Sequence, residues 1–135
     1  MEPIEIIKAF YNPDSKGFAI LVRHSEQVTQ KALAVADKVG HLEPDRVFIA
    51  EAAMLHDIGI FKTDAQRLGC HCSHPYLRHG TLGRAILEKK GLPGHGLVCE
   101  RHVGVGISAE EVVNHDLPLP VRDMRPVSVE EQIIC

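Results

Sequence analysis

Histidine is the residue type to follow in this chain. Nine occur in 135 residues, while aromatics are scarce and tryptophan is absent. Imidazole is the commonest metal ligand and the usual acid–base group near neutral pH. His56 is followed by Asp57 at the end of a run, Val47 to Leu55, that is apolar nearly all round. A carboxylate and an imidazole at the end of a buried helix must find partners, and a divalent cation satisfies both at once. His24, His79 and His102 stand on other predicted helices, with His56, His79 and His102 at equal intervals. One imidazole per successive helix lets a bundle aim several ligands at one point.

The elements that must do this positioning read as helical almost throughout. Ile4 to Phe10 forms a short amphipathic helix, and Ser15 caps a second running toward Val22. A third begins at His24, with Val28, Ala32, Val35 and Val39 as its apolar stripe and Gly40 after its end. The buried helix opens at Glu43-Pro44-Asp45, with Pro44 at N1, and ends in His56-Asp57. A loop spans Gly59 to about His74. Pro75 then starts a helix to Lys90, and another runs from Pro93 to His102. Ser108 and Ser128 each precede Glu at the capping-box spacing, so each starts a helix. No strand signal is visible.

Composition narrows the function. Net charge is −3 and the pI about 6.3, which gives no electrostatic footprint for a nucleic-acid polymer or an anionic membrane. No apolar run reaches membrane-spanning length, and the acidic N-terminus does not resemble a signal peptide. Four cysteines are few for a disulfide scaffold, so reduced thiols and a cytoplasmic location are expected. Cys70-His71-Cys72 lacks a second pair at zinc-finger spacing and is not read as a zinc site. His41 and His95 adjoin glycines at helix ends and are expected to be solvated. His115-Asp116 is read as surface, and Cys99 as packed core.

The succession His24, His56-Asp57-Ile58-Gly59, His79-Gly80 and His102 resembles the HD superfamily of metal-dependent phosphohydrolases, in the variant with an HDIG signature. The resemblance runs from about Ser15 to the last residue. It implies an all-α HD-domain helical bundle of about six to eight helices, with residues 1–135 as a single domain. It implies one or two divalent metal ions, drawn from Fe, Mn, Zn, Co, Ni or Mg. His24, His56 and Asp57 would be ligands, with Asp57 bridging two metals and orienting the nucleophile. His79 and His102 would complete a binuclear site, and Lys62 would face the substrate phosphate.

The implied reaction is hydrolysis of a phosphate ester or phosphoanhydride, nucleotides included, on a small phosphorylated substrate. Two other readings belong to the same resemblance. One is a di-iron oxygenase of a polyol or phosphonate; the other is a non-catalytic metal-binding or regulatory module. A homodimer is the assembly to test. From the residues themselves, His71 and His74 in the loop after the motif, and Arg78, are candidate substrate contacts. The family closes its metal shell with a later Asp. None occurs at the matching place after Ser128, so the chain reads as stopping short of it, with the last helix frayed; the alternatives are that Asp116 or Asp123 substitutes or that the site is incomplete.

Overall fold

The computed structural model describes residues 1–135. Seven α-helices follow one another: α1 (Pro3–Lys8), α2 (Lys16–Lys38), α3 (Arg46–Leu55), α4 (His79–Lys89), α5 (Pro93–Arg101), α6 (Ala109–Asn114) and α7 (Val129–Ile134). The fold is all-α, as expected, with one small exception. Strands β1 (Asp64–Ala65) and β2 (Cys70–His71) pair antiparallel, Asp64 opposite His71 and Ala65 opposite Cys70. Strands of two residues are too short to leave an alternating pattern in a sequence.

Ser15 caps α2 as expected, its hydroxyl accepting from the Phe18 N–H at 3.1 Å. The helix does not stop near Val22, however: the two expected helices are one 23-residue helix. No proline or glycine lies between Phe18 and Lys38, so nothing ends the ladder. Its buried face is also rotated from the expected stripe. Leu21, Ser25, Ala32 and Ala36 are buried, while Val35 is exposed. Ala32 and Ala36 pack with Ile49 of α3, and their small side chains let the two helices approach closely.

Asp45, rather than Pro44, sets the start of α3, its carboxylate accepting from the Phe48 N–H. The main core joins Ile7 of α1, Leu21 of α2, Leu55 of α3, Leu87 of α4 and Cys99 of α5. Cys99 is fully buried, as expected, and all four cysteines are free. The last helix is not frayed. Ser128 and Glu131 form a reciprocal capping box, and the buried Glu131 carboxylate accepts twice from Arg101 Nη1 at 2.8 Å. No helix is long and apolar enough to cross a membrane.

Candidate metal centre

Backbone contacts allowed only by glycine bring the site's elements together. A 3-10 turn, Ile58–Lys62, follows Asp57 directly. Within it Gly59 lies against α4: a Cβ there would stand 2.1 Å from the His79 carbonyl oxygen and 2.6 Å from the Gly83 nitrogen. Gly80 does the same between α4 and α5, where a Cβ would lie 2.5 Å from the Cys99 carbonyl oxygen. Any side chain at either position would push the His-bearing elements apart. Tyr11 ties the same turn from the other side. Its buried hydroxyl donates to the Ile58 carbonyl at 3.0 Å and accepts from the Phe61 N–H at 2.9 Å. Burial pushes the phenol pKa up, so it keeps its proton.

Asp57 is the centre of the arrangement. One carboxylate oxygen, Oδ2, lies 3.1 Å from His24 Nε2 and 3.2 Å from His56 Nε2. The other, Oδ1, lies 2.9 Å from His102 Nε2 and 3.3 Å from His79 Nε2. The result is two three-donor groups, His24/His56/Asp57 and Asp57/His79/His102, sharing one carboxylate. His56, Asp57 and His79 are buried, and His24 stands half-exposed at the mouth.

Three of the histidines are oriented in the same way. Nδ1 of His56 lies 2.5 Å from the Ala53 carbonyl, that of His79 2.6 Å from the Tyr76 carbonyl, and that of His102 2.7 Å from the Cys99 carbonyl. In each case the partner is three residues upstream. A carbonyl accepts only, so Nδ1 carries the proton and Nε2 presents a lone pair inward. Lone pairs thus face lone pairs: His79 Nε2 and His102 Nε2 stand 3.1 Å apart, both beside Asp57 Oδ1. Neutral imidazoles held this way repel unless a cation sits among them. Two ligands about 2.1 Å from one ion and about 90° apart are themselves about 3.0 Å apart, which matches the donor spacings here. The donor set therefore fits divalent metal, and the Nδ1–carbonyl bonds are the outer contacts that such ligands use.

Where protons instead of a cation occupy the Nε2 positions, burial opposes the charge on Asp57, but hydrogen bonds from the four histidines, His102 foremost, outweigh it and hold the carboxyl far below the usual carboxylate range. The Asp57 carboxylate raises the His24 pKa against its partial burial. Burial lowers that of His102, against the pull of Asp57.

The other expected site residues lie elsewhere. Lys62, His71 and His74 line neither of the two clefts that open on Asp57. Lys62 ends the 3-10 turn with its ammonium 5.9 Å from the Phe61 ring, and His71 is exposed on β2. Arg78 is tied down, donating from Nε to the Pro118 carbonyl at 2.7 Å with Nη1 3.2 Å from His74 Nδ1. Asp116 sits on an exposed turn with φ 49°, and Asp123 pairs with Arg125, so neither joins the cluster. His95 is not solvated: its ring is tilted against that of Phe48 at 4.7 Å, and Nε2 lies 3.1 Å from the Glu51 carboxylate. Residues not singled out from the sequence line the clefts instead. Arg67 and Gln66 stand in the first and Tyr76 in both, with the Tyr76 ring 4.4 Å from that of His79.

A helical fold whose successive helices deliver histidines to a central His-Asp pair defines the class. The HD domain family model matches residues 21–135, and the chain belongs to that family. It is 35% identical over 117 residues to a tRNA (cytidine(56)-2'-O)-methyltransferase of Picrophilus torridus, across 86% of this chain and 30% of the relative. It is 33% identical to an uncharacterized protein of Methanocaldococcus jannaschii, across 85% of this chain and 62% of that one. A Thermoplasma volcanium protein of the same methyltransferase name is 31% identical, across 85% of this chain and 30% of its own length. The chain thus spans less than a third of the methyltransferase relatives. No solved structure matches it.

Proposed function

We propose that the chain is a metal-dependent phosphohydrolase acting on a phosphate ester, with His24, His56, Asp57, His79 and His102 as its metal ligands. The observation that carries this reading is the division of the Asp57 carboxylate, one oxygen toward two histidines and the other toward two more. That is the donor pattern of a bridged binuclear centre. When bound, a divalent pair supplies an activated water and a Lewis acid for phosphoryl oxygens.

The chain's own residues do the rest. Asp57 contributes the site's negative charge and fixes where the two donor groups meet. His56, His79 and His102, locked by carbonyls, keep Nε2 pointing inward through the reaction, so no reorientation is needed as charge develops. The neighbouring cleft, walled by Ile20, Leu21 and Leu68, screens one side of the ester from water. In the hydrolysis, a water oxygen bonds to phosphorus as the ester P–O bond breaks. One of the water's protons goes to the departing alkoxide and the other stays with the phosphate, giving an alcohol and inorganic phosphate.

The methyltransferase name belongs to relatives of which the chain spans 30%, and a cluster of metal donors supports hydrolysis instead. The test is metal analysis of protein purified without added metal, followed by a panel of phosphate esters with Mn, Zn, Co, Ni, Fe and Mg. Metal-dependent phosphate release supports the reading. Bound metal with no release from any ester contradicts it, and iron-dependent oxygen uptake with a polyol or phosphonate replaces it with the oxygenase.

A further inference from the structure

The cleft beside the metal centre has a volume of about 520 Å³ and opens on Asp57 and His24. We propose that Arg67 grips the substrate's phosphate there, and that the substrate is a phosphate monoester with a small apolar body seated along Ile20, Leu21 and Leu68. The proposal rests on the phosphohydrolase reading and specifies its substrate class.

Arg67 is the one permanently cationic side chain lining this cleft. Four other arginines are already engaged: Arg84 and Arg122 with Glu100, Arg101 with Glu131, and Arg78 with the Pro118 carbonyl. Arg67 makes no ion pair, although Asp64 lines the same cleft. An exposed guanidinium with no carboxylate partner, set beside a concave apolar wall, matches a planar two-point contact to phosphate.

Its backbone is held in place rather than free. Arg67 is the middle residue of a 3-10 turn, Gln66–Leu68, bracketed by β1 and β2. The Leu68 carbonyl presses on α2 at Gly17, where a Cβ would stand 2.3 Å from that oxygen. Gly69 then leaves the turn with φ 72°, a left-handed conformation that suits glycine. The guanidinium is thus carried by a segment packed backbone to backbone on the helix that bears His24.

The lining sets the rest of the substrate. Ile20, Leu21, Ile60 and Leu68 form an apolar wall that accepts a hydrocarbon or aromatic leaving group. Arg67, the one cation lining the cleft beside Asp64 and the metal ligands, serves one phosphate. Away from the metal ligands, a second or third phosphate would lie beside Asp64 with no further cation lining the cleft to meet it.

The test is calorimetric titration of the full metal-loaded chain with inorganic phosphate, phenyl phosphate and pyrophosphate, with metal content and phenyl phosphate hydrolysis read on the same preparations. Phenyl phosphate is expected to bind about tenfold tighter than inorganic phosphate, through burial of its ring, and pyrophosphate no tighter than phosphate. Arg67→Gln is expected to weaken phenyl phosphate about 10- to 100-fold with metal content intact, and Arg67→Lys to recover only part of that loss. Parent-like binding by Arg67→Gln, the loss appearing in Lys62→Gln instead, or no preference for phenyl phosphate would overturn the proposal. If binding depends on Arg67 but no ester is hydrolysed, the proposal stands and the hydrolase reading fails. If hydrolysis persists unchanged in Arg67→Gln, the proposal fails and the hydrolase reading stands.

Discussion

Gly59 meets the His79 carbonyl so closely that a methyl group at position 59 would lie 2.1 Å from the oxygen, well inside contact distance. The glycine of the His56-Asp57-Ile58-Gly59 run is therefore a spacing device. It seats the turn carrying Asp57 on the helix carrying His79, and so sets the 3.3 Å between Asp57 Oδ1 and His79 Nε2. Gly59→Ala is expected to cost about 3 kcal/mol through overpacking against backbone that cannot move aside. Urea denaturation with parallel metal analysis reads both effects. A stable variant with full metal content would show that the contact does not position the site.

Tyr11 holds the same turn by its hydroxyl. Tyr11→Phe keeps the ring in place, including its edge contact with Phe61 at 5.4 Å, but leaves the Phe61 N–H without its acceptor. The expected cost is about 1–3 kcal/mol. Hydrogen exchange at Phe61 should quicken more than exchange in α7, which Tyr11 does not touch. Uniform quickening across the chain would mean that Tyr11 supports the fold generally rather than this turn.

The docking of α7 carries a pH dependence whose direction follows from Glu131. Burial opposes its charge, but the N–H groups of Val127 and Ser128 and the Arg101 guanidinium outweigh burial and hold the carboxyl below its ordinary 4.5. A depressed folded-state pKa stabilises the protein above the unfolded value, and that stability is lost as pH falls through the interval below 4.5. Glu131→Gln should destabilise the chain by about 1–3 kcal/mol at pH 7 and flatten this acid limb. Denaturation curves from pH 7 to pH 3 check it. An acid limb as steep in Glu131→Gln as in the parent would assign it to other carboxylates.

Much of the cluster was legible in the sequence because a buried carboxylate restricts what can surround it. Asp57 at the end of an apolar helix had to find charge-compensating partners, and the spacing of His24, His56, His79 and His102 across helices pointed to the side chains that the structure brings around it. Helix starts at Ser15, Ser108 and Ser128 were legible for a similar reason, since a cap needs a hydroxyl at one place. The cleft was not. Part of its wall comes from a hairpin with two-residue strands, which leaves no period to read, so Arg67 was not singled out within the expected loop, nor Tyr76 within the helix expected from Pro75, while Lys62 drew attention by its nearness to the motif. The buried face of α2 was legible only in part: Ala32 lay on the expected stripe, but close packing on α3 buried Ala36 where apolar periodicity favoured Val35.

Asp57 joins two three-donor groups. Four neutral histidines bring no charge, so one carboxylate must serve both ions, and the second should bind more weakly than the first. The most direct measurement is a Zn or Mn titration followed by calorimetry on the metal-free parent, Asp57→Ala, His79→Ala and His102→Ala. Two unequal binding steps are expected in the parent, one in either histidine variant, and none in Asp57→Ala with the helical circular-dichroism signal retained. Parent stoichiometry in Asp57→Ala, or a single step in the parent that neither histidine substitution changes, would contradict this arrangement.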